Sequence, residues 1–245
     1  MCRTKRRDAA VTAMHRHQRQ LTGILTLLLA SLAWTGAGDI HLFILSGQSN
    51  MAGLKPQVSF DPDVRKALPG DEVIVVKDAA SGQPIRRWFK EWKPEGGEVP
   101  EKTGDLYDRM MGKVKEAVGD KKPATITFVW MQGERDAKER HGSVYAASLA
   151  GVIAQLRKDL NREDVNAVIG RLSDFGKYPD WEKVREAQLE VAKNDPRVDW
   201  VDTDDLNGPK NGLHYNKEGY TELGSRFAAK ALELIGKPSG PTGVK

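Results

Sequence analysis

Cysteine is nearly missing from this sequence: Cys2 is the only one in 245 residues. A disulfide framework and a cysteine-ligated metal site are therefore both excluded, and stability has to come from packing. Histidine is scarce as well, with five in all, which limits the groups able to move protons near neutral pH. Long apolar runs are missing too. The longest, Leu21 to Trp34, spans 14 residues, short of the roughly 18 expected of a membrane span.

That run sits in a recognisable order. Arg3, Lys5, Arg6, Arg7, Arg16 and Arg19 precede it, and the small residues Thr35-Gly36-Ala37 close it, as in a secretory signal. Residues 1–37 are thus expected to be a signal peptide, with a mature domain over 38–245 that is secreted or periplasmic; only an uncleaved segment would contact a membrane. The apparent net charge of +4 depends on this segment, because the remaining chain carries 32 Lys/Arg against 33 Asp/Glu. Without a basic excess, a nucleic-acid partner is not expected. Cys2, His15 and His17 leave with the segment. His41, His141 and His214 then remain as candidates for proton transfer.

The rest alternates between two periodicities. Short β-branched runs at 40–45, 73–76, 125–130, 167–172 and 198–201 predict buried parallel strands. Between them, Tyr145, Leu149, Val152, Ile153, Leu156 and Leu160 make one apolar helical face, and Tyr220, Leu223, Phe227, Ala231 and Leu234 another, with Asn216 as its cap and Glu218 in its first turn. Five strands alternating with helices predict a three-layer α/β/α sandwich with a five-stranded parallel sheet. The Pro-, Gly- and charge-rich stretch 90–103 predicts an exposed loop. Trp88 and Trp92 beside it have two readings, part of that solvated insertion or an aromatic sugar site of which Trp88 is a wall.

In an open parallel sheet, ligands bind beyond the carboxyl ends of the strands. Three ends are polar here. The first strand runs into "SGQSNM", the third into "MQGERD", and a loop after the last strand reaches "NGLHY". These residue types suit acyl transfer, in which a histidine activates a serine and fixed donors hold the oxyanion. Ser49 stands past the strand end, where a turn into a helix exposes Oγ and offers its own backbone N–H. Each partner also has a structural reading: Ser46 and Asn50 as turn caps, Gln132 as a partner for buried backbone. His41 lies at the opposite end of its strand and His141 in a charged connection, which leaves His214.

Taken together, "GQSNMAG", "WMQGERDA" and "GLHYNKEGYTELGSRFA" resemble the sialate O-acetylesterase and acetylxylan esterase group of carbohydrate esterases, within the SGNH-hydrolase superfamily, whose fold is flavodoxin-like. The resemblance implies Ser49 as nucleophile and His214 as general base. It implies an oxyanion hole from Ser49, Gly82 and Gln132 and an acidic support at Glu134; Gln48 and Asn50, on either side of the serine, are expected to contact substrate. One position departs from the family pattern: Asn211 stands where an aspartate is usual, three residues before the histidine. Our expectation is therefore that Glu134 supplies the charge and Asn211 at most orients the ring. No metal or cofactor is implied, because one catalytic histidine candidate without cysteine gives no familiar ligand set.

The expected activity is removal of O-acetyl groups from a carbohydrate through an acyl-serine intermediate. The alternative is a carbohydrate-binding protein that keeps the fold with little turnover. A glycosidase using Asp204 and Asp205 fits less well, since that chemistry needs acids on either side of the bond, not adjacent on one loop.

Overall fold

The computed structural model describes residues 38–236. The signal-peptide expectation lies outside the described residues. Five strands, β1 (Ile40–Gly47), β2 (Glu72–Ala79), β3 (Thr125–Met131), β4 (Asn166–Gly170) and β5 (Val198–Val201), form one parallel sheet in the order β2-β1-β3-β4-β5. Phe43, Ile44, Leu45, Phe128, Val129 and Val168 are fully buried, because helices cover both faces. On one side lie α2 (Phe60–Ala67) and α7 (Lys217–Gly236); on the other lie α3 (Asp105–Val118), α5 (Gly142–Leu160) and α6 (Trp181–Asn194). This is the expected α/β sandwich with the flavodoxin-like strand order.

The two predicted apolar helical faces are the ones that pack. Tyr145, Leu149, Val152, Ile153 and Leu156 of α5 are buried, as are Leu223, Phe227, Ala231 and Leu234 of α7. Asn216 caps α7, its Oδ1 accepting the Gly219 N–H at 2.7 Å. One strand boundary is corrected. β4 ends at Gly170, short of Leu172, whose N–H is taken by the Gln188 side-chain carbonyl at 2.8 Å instead of a neighbouring strand.

Register positions the site. Gly47, the last residue of β1, pairs with Ala79 at the end of β2 and with Met131 at the end of β3. β2, β1 and β3, adjacent in the sheet, therefore finish at one level, and the turns after them leave the sheet side by side. The strand order also reverses here, since β2 lies on one side of β1 and β3 on the other. Such switch points open a crevice for ligands.

Candidate active site

A buried strand that must end in an accessible serine needs a sharp exit, and Gly47 provides it. Its φ is 144°, and a Cβ there would lie 2.0 Å from the Met131 carbonyl oxygen. Gln48 N–H donates to that same oxygen at 2.9 Å. The chain then turns into α1 (Ser49–Gly53) with Ser49 as its first residue.

His214 arrives from the loop between β5 and α7, and its Nε2 lies 3.0 Å from Ser49 Oγ. Asn50 creates this meeting. Its Nδ2 donates to Leu213 O at 3.0 Å, and its Oδ1 accepts from Tyr215 N at 3.4 Å, so the residues on both sides of the histidine are tied to the residue beside the serine. The same Oδ1 accepts from Tyr220 Oη at 3.2 Å, and Nδ2 also donates to Glu134 Oε1 at 2.9 Å. Asn50 is a clamp. Being 2% exposed with its polar atoms occupied, it does not contact substrate, which corrects that expectation.

The turn after β2 supplies Gly82, exposed and at φ 69°, a left-handed conformation that glycine adopts without strain. Together with Gln48, Ser49, Ser81, Glu134, Arg135, Lys138, Tyr178, Leu213 and His214 it lines a cleft of about 230 Å³. A larger cavity of about 680 Å³ opens at the opposite end of the sheet, among Leu42, Val114, Ile126 and Leu160. Volume alone would favour that one. No serine–histidine pair lines it, so we assign the chemistry to the smaller cleft.

A family model for the sialic acid-specific acetylesterases among the carbohydrate esterases matches residues 52–233. The chain belongs to that family. The match begins after Ser49, so the assignment is independent of the serine turn. A probable carbohydrate esterase of Arabidopsis thaliana is 29% identical over 211 residues, covering 84% of this chain and 73% of that protein. The crystal structure of that plant protein aligns with a TM-score of 0.65 at 21% identity, covering 80% of this chain and 98% of the other. A carbohydrate acetylesterase from Xanthomonas citri aligns at 0.61 with 18% identity, over 82% of this chain and 58% of that one. NanS aligns at 0.57 with 11% identity, over 82% and 98%.

Within this carbohydrate esterase fold the acidic support differs from expectation. Glu134 begins α4 (Glu134–Glu139) and is 2% exposed. Its Oε1 takes the Asn50 bond and its Oε2 is buried without a partner. Burial, helped by the nearby charge of Asp136, raises its carboxyl to about 7 against the opposing pull of the Asn50 amide and the N–H groups at the start of the helix. Asn211, in the left-handed region at φ 46°, accepts from Asn207 Nδ2 and donates to Asp174 O at 3.4 Å. Neither side chain hydrogen-bonds the imidazole. Among the described residues no carboxylate is within ion-pairing distance of His214. Asp204 and Asp205 are engaged elsewhere, by Arg185 and Arg226, which hold both carboxyls below their ordinary range.

Two further expectations are corrected. Trp88 is fully buried: its Nε1 donates to Ser46 Oγ at 2.9 Å and its ring stands edge-on to Trp130 at 5.2 Å. Trp92 is 2% exposed and packs on His141. The 3₁₀ turn Ile85–Arg87 carries Trp88 inward, where the apolar area of an indole is worth more than at a wet rim. The remainder of 90–103 is irregular and largely exposed, as expected. The aromatic that does line the cleft is Tyr178, with Lys138 Nζ 5.6 Å from its ring centroid.

Gln132 is the second. Its side chain is fully buried, and Nε2 is directed to Asp136 Oδ2 at 2.5 Å, Gln83 O at 3.1 Å and Gln48 Oε1 at 3.2 Å, more acceptors than it has hydrogens. Tyr145 and Gln188 hold its carbonyl groups, the Tyr145 hydroxyl on both oxygens and Gln188 Nε2 on the backbone one. It presents no donor to the cleft. Sequence reasoning missed Asp136 and Tyr145 as its holders, although Asp136 lies one helical turn on; for Gln188, 56 residues away, the sequence holds no signal.

Proposed function

We propose that this chain is a serine esterase that removes O-acetyl groups from a carbohydrate. The observation that carries the reading is the 3.0 Å hydrogen bond between Ser49 Oγ and His214 Nε2 at the switch point of a carbohydrate esterase fold. Ser49 Oγ attacks the acetyl carbonyl carbon while His214 Nε2 takes its proton. The carbonyl oxygen becomes an oxyanion that the Ser49 and Gly82 backbone N–H groups face. On collapse the ester C–O bond breaks, and the sugar oxygen leaves with the proton from His214. Water then repeats the sequence on acetyl-Ser49, releasing acetate. The half-buried Tyr178 and the cations Arg135 and Lys138 in the cleft lining support a sugar, and most readily an acidic one, as the alcohol part.

Burst release from an activated acetyl ester, with an acetyl adduct located on Ser49 by mass spectrometry, tests the reaction; acetylated xylan, sialic acid and peptidoglycan fragments then test the sugar. A burst and adduct are expected. One observation favours the second reading, a carbohydrate-binding protein with little turnover: His214 has no carboxylate partner among the described residues. Binding of the acetylated glycan without adduct or turnover would establish that reading instead.

Export is also part of the proposal, on the basis of the sequence of residues 1–37. Protein recovered from its native host should begin near Gly38. An intact Met1 in a soluble cytoplasmic pool would reject it. Among the described residues no helix is long and apolar enough to cross a membrane.

A further inference from the structure

We infer that Lys77 is a positioning residue for the nucleophile: its ammonium ties the carbonyl end of α1 to the sheet and so fixes where Ser49, at the other end of that helix, stands against His214. The inference rests on the esterase reading.

The need for such a residue is written in the local sequence. α1 is five residues long, and a helix that short does not hold itself in water. Its last carbonyls have no partners within it. The helical partner of Ala52 O would be the N–H four residues on, and that residue is Pro56, which has none. The carbonyl of Leu54, which follows the helix, gains no help from the next turn either, because the Val58 N–H goes to Lys55 O at 3.0 Å.

Lys77 satisfies both carbonyls. It lies in β2, at the edge of the sheet and level with Leu45 of β1, and its Nζ donates to Ala52 O at 2.8 Å and to Leu54 O. Among the described residues no carboxylate pairs with it. The ammonium is half-buried, and burial lowers its pKa from the ordinary lysine value, so the two carbonyls are what compensates its lost hydration. The helix end also packs against Tyr220, since a Cβ on Gly53 would lie 2.4 Å from Cζ of that ring. The hydroxyl of the same tyrosine donates to Asn50.

Two ties therefore act in series. Asn50 joins the histidine loop to α1, and Lys77 joins α1 to the sheet. A helix of little more than one turn moves as a unit, so a shift at Ala52 carries Ser49 with it. Lys77 itself makes and breaks no bond in the reaction.

The test is kcat for 4-nitrophenyl acetate per active site, with sites counted by a 4-nitrophenyl phosphonate that leaves its phosphorus on Ser49. Lys77→Met keeps the aliphatic stem and removes the donors. It should lower kcat per site roughly 10–10²-fold, the cost of a displacement of up to about 1 Å at the reacting atoms, with KM within a few-fold. Lys77→Arg, which still donates to carbonyls, should recover most of that loss. Lys55→Met is the control and should match the native protein, because the exposed Lys55 side chain bonds neither carbonyl. A lysine that only stabilised the fold would change the number of sites and not the rate at each. Native kcat per site in Lys77→Met would overturn the inference. A measurement on the unaltered protein guards against misfolded variants: the Lys77 ammonium resonance should move when the phosphonate is seated on Ser49, and that of Lys55 should not. An unmoved Lys77 resonance would also overturn it. Absence of any turnover or Ser49 adduct in the unaltered protein would instead defeat the esterase reading, and this assignment with it.

Discussion

β1 carries a histidine partnership at each end, and the two are opposites. At its amino end His41 is 4% exposed, with Nδ1 bonded to Thr125 Oγ1 at 2.8 Å and Nε2 to Asp71 Oδ2 at 3.1 Å. At its carboxyl end His214 is exposed, bonded through Nε2 to Ser49, with no carboxylate beside it. The histidine that looks better equipped, with acid and hydroxyl in place, has no nucleophile in a cleft. A base has to keep one nitrogen free for the reacting proton, and full satisfaction is the mark of a structural ring. At the working end the support goes to the backbone around the ring, through Asn50, more than to the ring itself.

The largest effect should come from removing the working pair. Ser49→Ala, His214→Ala and the double variant should each lower kcat by a similar factor, on the order of 10⁴ to 10⁶, because both residues act on one proton. Losses that multiply in the double variant would break the pairing. Next is the clamp. Asn50→Leu frees both flanks of His214, and a displacement of about 1 Å at the reacting atoms costs roughly 10²-fold in kcat. KM should move less than kcat. A stable Asn50→Leu protein with unaltered kcat would show that the histidine loop holds itself.

Glu134 sharpens the comparison through pH. With its carboxyl at about 7 in the fold and 4.5 when free, burial disfavours the ionised form, so its contribution to stability falls as pH rises from 4.5 to 7. Glu134→Gln keeps the Oε1 acceptor for Asn50 and cannot ionise. It should match the native protein in urea unfolding below about pH 4.5 and exceed it above about pH 7, by up to roughly 3 kcal/mol at 1.36 kcal/mol per unit. Kcat should change little. A loss of several powers of ten with no gain in stability would return Glu134 to the role of charged partner for His214. The smallest effect on turnover belongs to His41→Ala, which should stay within a few-fold of native kcat while unfolding about 1–3 kcal/mol more easily, since Asp71 and Thr125 lose a shared partner.

The sequence by itself determined the sandwich, the two long amphipathic helices, the cap at Asn216 and the exposed serine turn. These are local properties, written in β-branched runs, a 3.6-residue period and a glycine before a polar turn. Proton chemistry could also be narrowed to His214, because so few histidines compete. Contacts between distant segments were decided only by the tertiary structure. Ser49 and His214 are 165 residues apart, and their meeting depends on strand register and on Asn50. Trp88 and Gln132 carried no local sign of which way they face: an indole beside a charged loop, or an amide at a strand end, suits a wet cleft or a dry core equally well. The packing of α5 and α6 over β3 chose the core for both, and so left the cleft to Gln48, Gly82 and Tyr178. Asn211 could be placed near His214 by spacing alone, but its left-handed backbone directs its side chain to Asn207 and Asp174, a choice made by the loop geometry and not by its distance in the chain.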